Sequence, residues 1–186
     1  MAATVTFVDK GVAGTSLDDL ARQVGVTKQT ILYHFGSKDG LVAEVLASAA
    51  RDLAEVLEQA TVESLPGWDR VEATVRGSFA LAARRPELLG LLRELNRLGS
   101  DKAEPVAEVL KPHMEAAIDH LERGMAEGRF RPSDPRLVLV SAYAAVTGVV
   151  NDTEVLRAVG LELDVRVAAN LRRTVLDFLK AALVPS

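Results

Sequence analysis

Apolar residues recur at helical spacing along this chain and almost nowhere alternate with polar ones as a half-buried strand would require. Leu17, Leu20, Ala21 and Val24 fall at i, i+3, i+4 and i+7, one apolar face of a short helix. Thr15 is placed to cap that helix. Asp18, three residues on, completes a capping-box pattern near the positive end of the helix dipole. Gly25 ends the helix, because glycine enters the left-handed conformation without a Cβ clash. Val26 then reads as an apolar plug for the corner and Thr27 as a second N-cap. A second helix starting so soon after the first is the helix-turn-helix arrangement, whose second helix enters a DNA major groove.

On that second helix Ile31 and Phe35, at i and i+4, are expected to face the core, while Gln29 and Tyr33 point the other way and Thr30 and Leu32 flank them. The Gln29 amide suits an adenine edge, and Lys28 can reach guanine or phosphate. Thr30, Tyr33 and His34 can donate to phosphate oxygens, which fix register rather than sequence. Ser37 caps a third helix, whose exposed N–H groups and Lys38 make a phosphate clamp.

The same periodicity predicts a long helix from Ser37 toward Thr61, carried by Val42, Leu46, Ala49, Leu53, Leu57 and Ala60. Pro66-Gly67 breaks the chain, and helices follow over Trp68–Ala83 and Glu87–Leu98, the latter ended by Gly99. Glu104–Glu127 is expected to be helical with an interruption at Pro112, which lacks an N–H and crowds the carbonyl of Glu108. A loop over Glu127–Arg136 precedes two long helices, roughly Pro135–Val159 and Asp164–Leu183. The first carries Ser141, Ala145, Gly148 and Asp152 on one face, the second Ala168, Leu171, Val175, Phe178 and Ala182. The fold class is therefore all-α.

With 186 residues the chain can hold a small helix-turn-helix domain, 1–46, and one further helical domain, 47–186. The absence of Cys excludes disulfides, thiolate metal sites and cysteine nucleophiles, and fits a reducing cytoplasm. Leu137–Val150 is too short and too interrupted to span a bilayer, so no membrane partner is expected. The net charge of −4 offers no strong positive field. Through Leu46 four basic side chains (Lys10, Arg22, Lys28, Lys38) meet five acidic ones (Asp9, Asp18, Asp19, Asp39, Glu44), which predicts a modest salt dependence of DNA binding. Enzymatic chemistry finds no support: the sequence has no phosphate loop and no nucleophile–base arrangement, and no cofactor is expected. His113 and His120 stand seven apart, outside metal-ligand spacing on one helix, so no metal is expected either.

Thr15-Ser16, Ala21, Gly25-Val26-Thr27, Thr30, Tyr33-His34-Phe35 and Ser37-Lys38-Asp39 together resemble the DNA-binding domain of the TetR family of bacterial transcriptional regulators. Leu32 departs from it, standing where the family usually has a phosphate-contacting Tyr. A second departure is the start: Met1–Val8 is short and rich in Thr and Val, mediocre helix formers. It points to a truncated first helix or to a natural start upstream of Met1. The loop Glu127–Arg136 is similar to a connector in many members of the family.

The resemblance implies a homodimer, formed by the last two helices, that binds a double-stranded operator through Thr15, Ser16, Thr27, Lys28, Gln29, Thr30, Tyr33, His34 and Lys38. It also implies a small-molecule effector among the middle helices, with Trp68, Phe79, His113, Met114, Tyr143 and Thr147 as candidate lining. The residues leave open a second reading, a helical small-molecule-binding or interaction protein whose DNA binding has weakened or been lost.

Overall fold

The computed structural model describes residues 6–7, 11–62, 65–88, 91, 100–151 and 153–185. Their regular structure is helical: residues 6–7 and 11–14, then α1 (Leu17–Val24), α2 (Lys28–Phe35), α3 (Lys38–Val62), α4 (Gly67–Arg84), α5 (Ser100–Ala126), α6 (Pro135–Asn151), α7 (Thr153–Ala158) and α8 (Val165–Leu183). No helix among the described residues is long and apolar enough to cross a membrane.

Packing divides the chain into two units, residues 1–52 with 85–110, and residues 53–84 with 111–186. The first unit thus reaches past residue 46, the boundary expected from the motif. Leu91 joins its core and Val106 packs against it. That core is Phe7, Val12, Leu20, Ala21, Ile31, Leu41, Val42, Leu46 and Leu91. Burying each of the larger side chains stabilises the unit by about 1.5–3 kcal/mol relative to exposure. Arg85 ties the ends of the unit together, pairing with Asp52 at 2.9 Å and with Glu87.

Pro112 does not interrupt its helix: α5 runs unbroken from Ser100 to Ala126. A proline removes one backbone bond, and in a helix of 27 residues the remaining ladder and its packing hold the helix together. The change from one unit to the other falls between Leu110 and Lys111, beside that proline. Of the helix expected over Glu87–Leu98, residues 87–88 and 91 are helical and 89–90 and 92–98 lie outside the described residues. Most of the segment expected to form a shortened first helix also lies outside them, but Thr6 and Phe7 are buried, and the Thr6 hydroxyl donates to the Gln23 side chain of α1.

In the second unit Val75 on α4 packs with Val175, Leu176 and Leu179 on α8, and Ala142, Ala145 and Val146 of α6 cover them. Val175 and Ala145, each on one of the stripes read from the sequence, belong to this interior. Asp152 lies outside the described residues. The loop after α5 closes a second cluster. Gly124 accepts N–H bonds from Arg129 and Phe130, turning the Phe130 ring inward against Leu121 and Leu183. Arg131 then donates to the carbonyls of Leu183 and Val184, holding the end of α8.

His120 lies under this loop, its Nε2–H donating to the Gly67 carbonyl at 2.9 Å and its ring edge-on to Phe130. Burial holds its pKa below the usual 6.5, against the Gly67 bond, and Arg70, Arg123 and Arg129 push the same way as burial. The unfolded chain therefore takes up a proton first as pH falls. The stability contribution is intact above the unfolded value and is lost as pH falls through the folded one. The urea midpoint should drop as pH falls below the ordinary imidazole value of about 6.5, and His120→Gln should flatten that drop. An equally steep drop in the variant would assign it to other groups.

Candidate nucleic-acid interface

The first unit builds the helix-turn-helix from two well-capped helices. α1 begins at Ser16, not Thr15. The Ser16 hydroxyl accepts the Asp19 N–H at 3.1 Å, and the Asp19 carboxylate accepts the Ser16 N–H at 3.3 Å. Thr15 is 1% exposed and gives its hydroxyl to the Gly11 carbonyl at 2.8 Å. The expected Thr15/Asp18 box is thereby shifted by one residue, and the Thr15 side chain is withdrawn from the surface where it was expected to meet DNA. Both registers satisfy the same capping pattern, so only the tertiary contact of Thr15 separates them.

Gly25 ends α1 in the left-handed region, φ 72°, as its position required. Thr27 caps α2, accepting the Thr30 N–H at 3.1 Å, and its hydroxyl also meets that of Thr30 at 2.8 Å. Val26 does not plug the corner. It is 41% exposed and Val24 is 44% exposed, because the last turn of this eight-residue helix and the corner after it face outward.

Ile31 anchors α2 in the core at 6% exposure, while Phe35, expected beside it, sits at the margin at 36%. The opposite face is open. Tyr33 is 86% exposed, Gln29 and His34 are exposed, and the Tyr33 and His34 rings meet edge to face at 5.2 Å. Ser37 caps α3 by accepting the Gly40 N–H at 3.0 Å, and Lys38 is half-buried in the first turn. Ser16, Thr27, Lys28, Gln29, Tyr33 and His34 are thus exposed in this unit, with half-buried Thr30 and Lys38 beside them.

Lys28 is engaged in a way the sequence did not announce: its ammonium pairs with Asp18 of α1 at 3.0 Å, both side chains solvent-exposed. Such exposed pairs contribute about 0–1 kcal/mol, so Lys28 can exchange Asp18 for a phosphate or a guanine at small cost. Asp18→Asn should release Lys28 and remove a negative charge from the side expected to meet DNA. Affinity for target DNA in fluorescence anisotropy is expected to rise several-fold; a fall would place Lys28 away from the DNA.

The six candidate lining residues of the second unit do not converge on one described cavity. Trp68 and Phe79 pack against the α4–α8 core, and Trp68 also borders a cleft between those helices. Met114 is half-buried, and half-buried His113 lies 3.9 Å from Glu58. Tyr143 is 55% exposed, and Thr147 donates to its carbonyl. Among the described residues no group of three potential metal ligands gathers.

Comparison with known proteins bears on the same surface. The sequence model "Bacterial regulatory proteins, tetR family" matches residues 1–45. The uncharacterized HTH-type transcriptional regulator YhgD of Bacillus subtilis is 24% identical over 149 residues, 78% of this chain and 78% of its own. The HTH-type transcriptional repressor KstR2 of Mycolicibacterium smegmatis is 28% identical over 134 residues, and that match spans 71% of this chain and 65% of the repressor. In structure the chain is similar to the transcriptional regulator FadR of Bacillus subtilis, solved in complex with stearoyl-CoA. The TM-score is 0.79 at 20% identity, covering 96% of this chain and 94% of FadR, a likeness of fold.

Proposed function

Because this chain belongs to the TetR family of bacterial transcriptional regulators, we propose that it acts as a dimeric, ligand-released repressor of a pseudo-palindromic operator. It is a regulator rather than an enzyme, as its relatives are. The observation that carries the reading is the outward face of α2, where Gln29, Tyr33 and Lys28 stand clear of a helix pinned by Ile31. Residues 1–46 serve as the DNA-binding domain and 47–186 as the effector-binding and dimerisation domain. One α2 enters each half-site, the two half-sites lying about one helical turn, 34–36 Å, apart.

Dimerisation is supported by apolar surface on the second unit. Leu137, Val140 and Tyr143 on α6 and Phe178 on α8 are 55–65% exposed, large apolar side chains that a dimer partner would cover. The effector is a small molecule bound in the second domain. Coenzyme A thioesters are the first compounds to test, given the FadR complex. α3, which continues from the first unit into the second, is the element through which the effector alters the spacing of the recognition helices. A coupling of about 1–3 kcal/mol suffices for a 5–150-fold change in affinity. The setting is the cytoplasm.

The second reading, a protein with weakened or lost DNA binding, draws on Leu32, whose exposed position lacks a phosphate-bonding group. A gel shift with DNA from the gene's own upstream region, beside sedimentation of the free protein, decides between them. A specific shift with a dimer in solution supports the repressor. Absence of any shift, or a monomer at high concentration, overturns it.

A further inference from the structure

A cleft of about 240 Å³ lies between α4 and α8 in the second unit. Trp68, Glu72 and Arg76 line it from α4 at i, i+4 and i+8, and Arg172, Arg173 and Lys180 line it from α8. Buried Leu176 contributes apolar lining, and Ala169 borders the cleft with only a methyl group. The charges are unevenly matched. Glu72 is already committed, accepting the Trp68 indole N–H at 2.9 Å and the Arg76 Nε–H at 2.8 Å. Lys180 holds its ammonium 5.8 Å from the centre of the Trp68 ring. Arg172 and Arg173 pair with no carboxylate among the described residues, and Asp177 is the second acid of the lining.

A chain of net charge −4 therefore concentrates four cations and two acids in one concavity. Crowded like charges are unfavourable unless something anionic relieves them. Guanidinium groups present paired N–H donors that match phosphate oxygens two at a time, which a lone surface lysine cannot do. Arg173 and Lys180 are separated by about 10 Å along α8, a span that two long side chains can close around adjacent phosphates.

We propose that this cleft binds the diphosphate group of a small anionic ligand, a nucleoside diphosphate or a coenzyme containing one. The proposal deepens the effector reading and rests on it only for the regulatory consequence, since binding itself is measured without DNA.

Trp68 is the only tryptophan of the chain, so its intrinsic fluorescence reports on the cleft directly. The full chain is titrated with pyrophosphate, ADP and coenzyme A, with sodium chloride at matched ionic strength as the control. A saturable change with pyrophosphate is expected, and the tighter of ADP and coenzyme A identifies the carrier of the diphosphate. Arg172→Gln with Arg173→Gln should weaken binding about tenfold or more. Arg157→Gln, outside the cleft on α7, should leave it unchanged. Ala169→Phe keeps every charge but fills the cleft, and it should also weaken binding if the double variant fails to fold. A response reproduced by sodium chloride, or one undiminished in a folded double variant, overturns the proposal. Neither failure touches the gel shift, which alone decides the DNA reading.

Discussion

Replacing Tyr33 and Lys38 together with Ala is expected to remove the specific gel shift, a loss of about 100-fold or more in affinity. The magnitude follows from two contacts to charged phosphate oxygens per subunit, each worth about 1.5–3 kcal/mol. Tyr33 is the most exposed aromatic side chain on α2 at 86%, and Lys38 is half-buried beside the cap of α3, so neither truncation opens the core. The variant should therefore melt with the parent, which separates lost contacts from lost fold. In the proposed complex Lys38 neutralises one phosphate in each half-site rather than reading bases, so its removal alone should also reduce the slope of log affinity against log salt by about 2. Gln29→Ala is the complementary change: discrimination at one base pair relaxes while the salt slope stays. A Tyr33/Lys38 variant that binds the operator as tightly as the parent would remove this face from the DNA.

The motif was legible because its signals are local. Gly25, Thr27 and Ser37 each act on backbone groups within a few residues of themselves, and each does in the structure what its type and position required. Long helices were legible for the same reason, since periodicity needs no knowledge of partners. What the sequence concealed depends on contacts between distant residues. Thr15 and Ser16 are both competent caps, and the choice is made by the bond from Thr15 to Gly11 in a separate helical segment. Val175 and Phe178 share a stripe on paper, yet Val175 is 6% exposed and Phe178 63%, because α4 and α6 cover one side of α8 only. The extension of the first unit to Leu91 and Val106 was invisible to the motif, which stops before either residue. The basic cleft had no local signature either: Arg76 and Arg172 are remote in the chain, and only the packing of α4 beside α8 brings them together.

Gly40→Ala is expected to damage the same interface from beneath, without touching any side chain offered to DNA. Gly40 stands in the first turn of α3, directly against the end of α2. A methyl there would lie closer to the Phe35 carbonyl oxygen than real Cβ atoms come to any neighbour, and 3.3 Å from its carbonyl carbon. The obstruction is backbone, so no rotamer change relieves it. Either α3 or the last turn of α2 must move, and the second carries Tyr33 and His34 with it. Overpacking of this kind costs about 1–3 kcal/mol, which corresponds to a melting temperature lower by roughly 5–15 °C for a unit of this size. Operator affinity should fall further than stability accounts for, since the recognition helix is displaced in the molecules that remain folded. Gly14→Ala supplies the contrast: no atom lies within 4 Å of its added methyl, and in a helical residue the change should leave stability equal or raise it by about 0.5–1 kcal/mol. Equal melting temperatures and equal operator affinities for the two variants would mean that the contact between Gly40 and Phe35 does not set the position of α2.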